Sequence, residues 1–434
     1  MARPRLSVCM IARNESSLLP GCLESIREGV DELVLVDTGS TDATVALARA
    51  AGAEVLTRAW DDDFSAPRNL AAAHATGDFI LQLDADERLA PGSMAALRAL
   101  LPGARFDVGL VRCHNADALD APHAAVVEGS RRSGEPALLP RLIRRTPDLR
   151  WEGCIHESVL GWAAARGGRI QPVPLDLVHL GYVNQLVKER DKRARNLALL
   201  AKRVASRPDD VIAYGYLAQD LLAGGQVGEA AEAAERGWEA LGRQAGAPSI
   251  RRLAVVRAAA AVRLDRPEVA LESVARGVAQ QGPNPDLAFH EGCALELLAE
   301  RAAGAARAGL LARAEEAHRA ALRLLVRGGF EQVLHASPAA AWARVGATAI
   351  RGGRVVEGRE AFAAARAAGA GEALALVEAR ALLDAGRAAD ALAVLEPVLL
   401  RVPGGWALAA RAADALGAHA EARSFEARAR AAAL

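Results

Sequence analysis

The residues best suited to chemistry fall in four short runs near the start of the chain. The sharpest is Leu83-Asp84-Ala85-Asp86-Glu87, which continues the apolar run Phe79-Ile80-Leu81-Gln82-Leu83. Two carboxylates at i and i+2, on the turn leaving a buried strand, project near one another at the edge where open α/β sheets bind ligands. Such a pair is costly unless a cation or hydroxyl groups engage it. A hard divalent cation bridging to a diphosphate does so. Solvated turn carboxylates are the alternative.

The second run is Leu33-Val34-Leu35-Val36-Asp37-Thr38-Gly39-Ser40-Thr41-Asp42. A strand ends in Asp37, Gly39 permits a tight turn, and Ser40 or Thr41 caps a helix. Capping explains Ser40 and Thr41 but not Asp37, which can accept the ring N–H of a pyrimidine. The third run is Arg13-Asn14-Glu15 after the first strand, polar groups where the sheet edge faces a ligand; Glu15 also suits a helix N-terminus. The fourth is Phe64-Ser65-Ala66-Pro67-Arg68-Asn69, preceded by Trp60-Asp61-Asp62-Asp63. An arginine at a helix start suits a diphosphate, and a surface salt bridge is its other reading.

The elements that position these runs alternate in the manner of an α/β sheet. Strands are expected at Leu6–Ile11, Glu32–Val36, Glu54–Thr57, Asp78–Leu83, Phe106–Arg112 and Leu138–Arg144. Helices are expected at Glu15–Arg27, Asp42–Ala51, Ala66–Ala75 and from about Pro91, read as a first-turn proline. A polar Gly/Pro loop spans about 115–136.

From about Lys188 the β-branched runs thin out and Ala, Leu, Arg and Glu dominate. Tyr214, Leu217, Ala218, Leu221, Ala230, Ala234 and Gly237 stand at the spacing of a tetratricopeptide unit. Trp342, Val345, Gly346, Ala349, Gly358, Phe362 and Ala365 repeat it. Ala379, Leu382, Ala391, Leu395, Val398 and Pro403 do so again, and weaker copies surround Ala258, Ala270 and Gly277, and Trp406 and Ala422. Small residues let the helices of a hairpin approach, and large ones fill the gap to the next hairpin. The expected domains are residues 1–187, an α/β domain with a mostly parallel sheet and helices on both faces; a linker helix at 188–207; and an all-α repeat domain at 208–434.

Lys plus Arg and Asp plus Glu both number 53, so formal net charge is zero and nothing favours nucleic acid or an anionic membrane as partner. No segment has the length and apolarity of a membrane span or a signal sequence. The five cysteines are scattered without a CxxC, which argues against a disulfide framework or zinc site and fits a reducing, cytoplasmic setting.

Taken in order, Ala12-Arg-Asn-Glu15, Val36-Asp-Thr-Gly-Ser-Thr-Asp42, Asp61-Asp-Asp-Phe-Ser-Ala-Pro-Arg-Asn69 and Leu81-Gln-Leu-Asp-Ala-Asp-Glu87 resemble the family-2 inverting glycosyltransferases with a GT-A nucleotide-diphospho-sugar fold. The resemblance covers roughly residues 5–185. Asp84-Ala-Asp-Glu87, Trp151-Glu-Gly-Cys-Ile-His156-Glu157, Val178-His179-Leu-Gly181-Tyr182 and the appended repeats are similar to a subgroup including lipopolysaccharide-core glucosyltransferases and glycocin S-glycosyltransferases.

The resemblance implies that Arg13, Asn14, Glu15, Asp37 and Ser40 contact the nucleoside of a UDP-sugar and that Arg68 faces its diphosphate. Asp84 would lie near ribose or metal, Asp86 would bind Mn²⁺ or Mg²⁺ at the catalytic centre, and His179 would be a further metal or diphosphate ligand. The family's base is an acidic residue, often in a Glu-Asp pair, which this sequence lacks in the expected region. Glu157 is the substitute, with a structural His156–Glu157 pair as its alternative. A peptide or protein side chain is the favoured acceptor. The alternatives are a glycan or lipid-linked acceptor with repeats that form a homodimer, a nucleotidyltransferase, and a repeat scaffold with a vestigial enzyme domain.

Overall fold

The computed structural model describes residues 3–134, 136–181, 185–242, 250–328, 333–334, 336–402 and 404–432; Tyr182 and Pro403 lie outside the described residues. The chain divides into two compact units, residues 1–206 and 207–434. Among the described residues no helix is long and apolar enough to cross a membrane.

The strands of the first unit are β1 Leu6–Ala12, β2 Glu32–Asp37, β3 Glu54–Thr57, β4 Phe79–Leu83, β5 Glu87–Leu89, β6 Val108–Asn115, β7 Ala137–Arg144 and β8 Ile170–His179. Its helices are α1 Leu19–Ile26, α2 Thr44–Ala50, α3 Ser65–His74, α4 Ser93–Leu100, α5 His123–Glu128, α6 Leu160–Ala165 and α7 Gln185–Ser206. The strands form one sheet in the order β3-β2-β1-β4-β7-β6-β8-β5.

Strands β3, β2, β1 and β4 are mutually parallel. β1, β2 and β4 are near-continuous apolar runs because both faces are covered, whereas the edge strand β3 is only partly buried. Leu6, Val8 and Met10 pack with Leu19 and Cys22 of α1 on one face, while Cys9 packs with Ala71 of α3 and Trp151 on the other. Beyond β4 the sheet is mixed: β6 pairs parallel with β8, but β4–β7, β6–β7 and β5–β8 are antiparallel. Among the described residues four of the seven strand pairings are parallel, in line with the expected mostly parallel sheet. The segment 115–136, expected to be loop, contains α5, and α4 begins after Gly92 rather than at Pro91.

Helix α7 belongs to the first unit. Its Arg203 guanidinium donates to the Ile155 carbonyl, and Cys154 Sγ reaches the Leu199 carbonyl at 3.5 Å.

The second unit is a series of helix pairs: α8 Val211–Ala223 with α9 Val227–Gly242, α10 Arg251–Arg263 with α11 Pro267–Gln281, α12 Pro285–Glu300 with α13 Gly304–Arg327, α14 Pro338–Arg351 with α15 Val355–Ala367, α16 Leu374–Asp384 with α17 Ala388–Leu395, and α18 Gly405–Ala415 with α19 His419–Ala432. The small positions mark close approach. A Cβ on Gly237 would lie 2.7 Å from the Tyr214 Cβ, and one on Gly346 would lie 2.7 Å from the Phe362 ring. The α12/α13 pair carries no repeat signature of that kind. There Gly292 lies beneath the His318 ring instead.

Candidate active site

Because β1, β2 and β4 are parallel, their carboxyl ends share one edge. Asp37 ends β2, and the runs Arg13-Asn14-Glu15 and Asp84-Ala85-Asp86 leave β1 and β4 beside it.

The first two loops are tied together. Asn14 sits in the left-handed region at φ +56, which asparagine tolerates better than most side chains. Its N–H donates to Ser40 Oγ at 2.9 Å, and its Oδ1 accepts from the Thr41 N–H at 2.8 Å. The Glu15 N–H donates to Thr44 Oγ1 at 2.8 Å. Asp37 is buried, and its carboxylate accepts from the N–H groups of Gly39 at 3.1 Å and Ser40 at 3.2 Å, closing the turn. Capping at α2 also differs from the expected Ser40 or Thr41: Asp42 accepts from the Thr44 N–H at 3.0 Å, while Ser40 is spent on Asn14. Arg13 is exposed.

The fourth run places Arg68. Asp63 accepts from the Ser65 and Ala66 N–H groups at 2.7 and 3.3 Å, which fixes the start of α3. Arg68 lies one turn in and is buried. Its Nε donates to Glu157, and its Nη2 reaches Asp84 Oδ1 at 3.1 Å. Its Nη1 is sealed from solvent with no partner among the described residues. Glu157 is delivered by a loop strapped onto α3, where Asn69 exchanges two bonds with the Trp151 backbone at 3.0 and 2.8 Å. Glu157 thus meets Arg68 directly, as an anchor for its guanidinium.

The two carboxylates of the Asp84-Ala-Asp86 run take different partners. Asp84 Oδ2 accepts from Arg141 Nη2 of β7 at 2.8 Å, and the same Nη2 engages buried Glu87. Asp86 faces His179, with Oδ2 3.3 Å from Nε2. Sheet register produces this meeting: Glu87 of β5 pairs with His179 of β8, and the Leu180 N–H donates to the Asp86 carbonyl at 2.9 Å. His179 Nδ1 lies 2.8 Å from Asn115 Oδ1, which turns Nε2 toward Asp86.

Burial alone raises the Asp84 pKa, yet Arg68 and Arg141 beside it hold that carboxyl well below the usual range. Glu87 is pushed up, chiefly by burial and further by Asp84 and Asp86, against the pull of Arg141. Burial lowers His179, but its bond to Asp86 and the surrounding carboxylates outweigh this and raise it.

The residues fit a hard divalent cation. Asp84, Glu87 and Glu157 are matched by the Arg68 and Arg141 guanidiniums, whereas Asp86 faces His179. Asp86 and His179 offer an oxygen and a nitrogen, both partly open to solvent. Residue 181 is glycine, and a Cβ there would fall 2.6 Å from His179 Nε2 and closer still to Asp86. Cys293, Glu296 and His318 also cluster, but in the helical unit, where Arg351 at 2.8 Å and His318 at 2.8 Å already hold Glu296.

Sequence reasoning singled out Asp84, Asp86, Arg68, Glu157 and His179, and these lie in one connected group. It missed Arg141 and Asn115 and gave Glu87 no role. An arginine amid the apolar residues of β7 was the available signal for Arg141.

Residues 7–125 match the model for glycosyl transferase family 2. A TPR repeat-containing protein of Synechococcus elongatus is 37% identical over 220 residues, 48% of this chain and 50% of that protein. An uncharacterized glycosyltransferase of Rickettsia felis is 35% identical over 85 residues, 20% of this chain and 30% of that one. The SPbeta prophage-derived glycosyltransferase SunS of Bacillus subtilis is 23% identical over 209 residues, 48% of this chain and 47% of that one. The chain thus spans about half the length or less of these relatives.

Proposed function

We propose that this chain, whose residues 7–125 match the model for glycosyl transferase family 2 and whose second unit is a series of helix pairs, moves a sugar from a UDP-sugar to a polypeptide acceptor, inverting the anomeric carbon. The observation that carries the reading is the pairing of Asp86 with His179 beside the Arg68–Asp84–Arg141 chain, at the sheet edge where such ligands bind.

In this reading Arg68 offsets charge on the departing nucleoside diphosphate. Asp84 and Glu157 aim it: two carboxylates on one guanidinium leave it little freedom. Arg141 holds Asp84 and Glu87 in register beneath the site. Asp37, Asn14 and Ser40 shape the rigid turn against which uracil and ribose lie, with exposed Arg13 at its rim. Asp86 and His179 would hold Mn²⁺ or Mg²⁺, which would supply further positive charge toward the diphosphate. The stacked helix pairs favour a polypeptide acceptor, since repeat arrays present extended surfaces that a monosaccharide does not need.

A panel of nucleotide sugars tests class and donor together. Release of UDP from at least one UDP-sugar, abolished by chelation and restored by Mn²⁺, is the expected result. Turnover of no nucleotide sugar would overturn the reading, and turnover indifferent to chelation would remove the metal from it.

A further inference from the structure

The second unit holds a groove of about 390 Å³ between the first helices of three successive pairs, α14, α16 and α18. Its walls carry Arg344, Arg351, Arg380 and Arg411, and its apolar lining includes Leu376 and Leu408. Among the described residues no carboxylate and no aromatic ring lines it.

The arrangement follows from the repeat. On α16, Leu376, Val377 and Arg380 stand at i, i+1 and i+4; on α18, Ala407, Leu408 and Arg411 stand at the same offsets. Residues four apart share a helix face, so each pair presents an apolar step and then an arginine to the same groove.

Two of the four guanidiniums are held from behind. Arg351 reaches Glu296 at 2.8 Å and Asp384 at 3.1 Å, and Arg344 reaches Glu296 at 3.4 Å. Arg380 and Arg411 are exposed and have no ion pair among the described residues. Elsewhere in this unit arginines are commonly matched, as Arg359 is with Asp390 and Arg401 with Glu372. The groove therefore concentrates positive charge that the chain itself does not neutralise, although its formal net charge is zero.

We propose that this groove binds an extended acidic segment of a polypeptide, with carboxylates on Arg380 and Arg411 and apolar side chains against Leu376 and Val377. Guanidinium forks match carboxylates bidentately, and a concave repeat surface suits an extended chain. A single-stranded nucleic acid would want aromatic stacking platforms, which the groove lacks. The proposal deepens the polypeptide-acceptor reading without depending on it: binding that survives while no sugar is transferred would sink that reading alone.

Fluorescence anisotropy on the full chain tests it, using a short fluorescein-labelled Glu/Leu peptide, its Lys/Leu counterpart and a labelled oligothymidylate. The Glu/Leu peptide should bind, weaken with salt, and weaken about tenfold or more in the Arg380→Glu, Arg411→Glu double variant. The corresponding Gln variants should fall between. Both side chains are exposed, so far-UV spectra should be unchanged, and UDP-sugar hydrolysis should be unaffected. Absence of Glu/Leu binding, equal binding by the double variant, or tighter binding of the oligonucleotide would overturn the proposal.

Discussion

Replacing Arg141 with methionine isolates the electrostatic frame beneath the site. Methionine is unbranched and fills irregular core space well, so the change removes charge more than volume. Arg141 Nη2 is 2.8 Å from Asp84 Oδ2 and also engages Glu87. The two carboxylates fare differently once it is gone. Asp84 keeps Arg68 at 3.1 Å and is 32% exposed. Glu87 is 2% exposed and keeps the Asp84 N–H at 3.0 Å. Removing one partner of a buried pair costs about 3–5 kcal/mol, because the other charge stays buried and uncompensated. Glu87 dominates that cost, so Glu87→Gln in the Arg141→Met background should return roughly 1–2 kcal/mol. Native-state hydrogen exchange on the full chain, read on peptides from β4 and β7, gives the local opening free energies. A loss below about 1 kcal/mol for Arg141→Met, or a double variant no more stable than the single, would refute the reasoning.

Gly181→Ala should push the His179 ring off Asp86, since the new Cβ would sit 2.6 Å from Nε2; Mn²⁺ affinity by calorimetry should fall about ten- to a hundredfold. His290 in α12 gives the helical unit an acid-sensitive element: burial pulls its pKa down to about 4, with Arg263, His318 and Arg344 adding and Asp286 opposing. The unfolded chain therefore binds that proton first. Stability is full above about pH 6.5 and should fall by up to about 3 kcal/mol as pH drops toward 4. A His290→Leu variant should flatten that dependence in far-UV denaturation curves; an unchanged slope would contradict it.

Strands β1, β2 and β4 were legible because they are buried on both faces and read as near-continuous apolar runs. β8 was not, because Pro172 and Pro174 within Ile170–His179 demote a strand on sequence grounds. The irregular β6–β8 and β6–β7 registers accompany such prolines in the folded sheet. Losing β8 also hid the reason His179 reaches Asp86, which is register rather than proximity in sequence. Asp84, Asp86 and Arg68 were legible as types at strand and helix ends, whereas Arg141, which ties Asp84 to Glu87, was not. Asp37 shows the opposite limit: its place at a strand end suggested a ligand contact, and its carboxylate is engaged by the Gly39 and Ser40 N–H groups. The repeats announced themselves through small residues at fixed spacing, and α12/α13, packed around Glu296 and His318, did not.

The central claim is that Asp86 and His179 hold a divalent cation against the diphosphate of a nucleotide bound at the β1–β2–β4 edge. Calorimetric titration of UDP into the full chain with and without Mn²⁺, repeated on Asp86→Ala, tests it most directly. The account predicts measurable UDP binding that tightens with Mn²⁺. It predicts that Asp86→Ala, which relieves carboxylate repulsion and should keep the fold, abolishes the metal-dependent part while far-UV spectra stay the same. No UDP binding with either protein, or the same Mn²⁺ enhancement in Asp86→Ala as in the wild type, would contradict it.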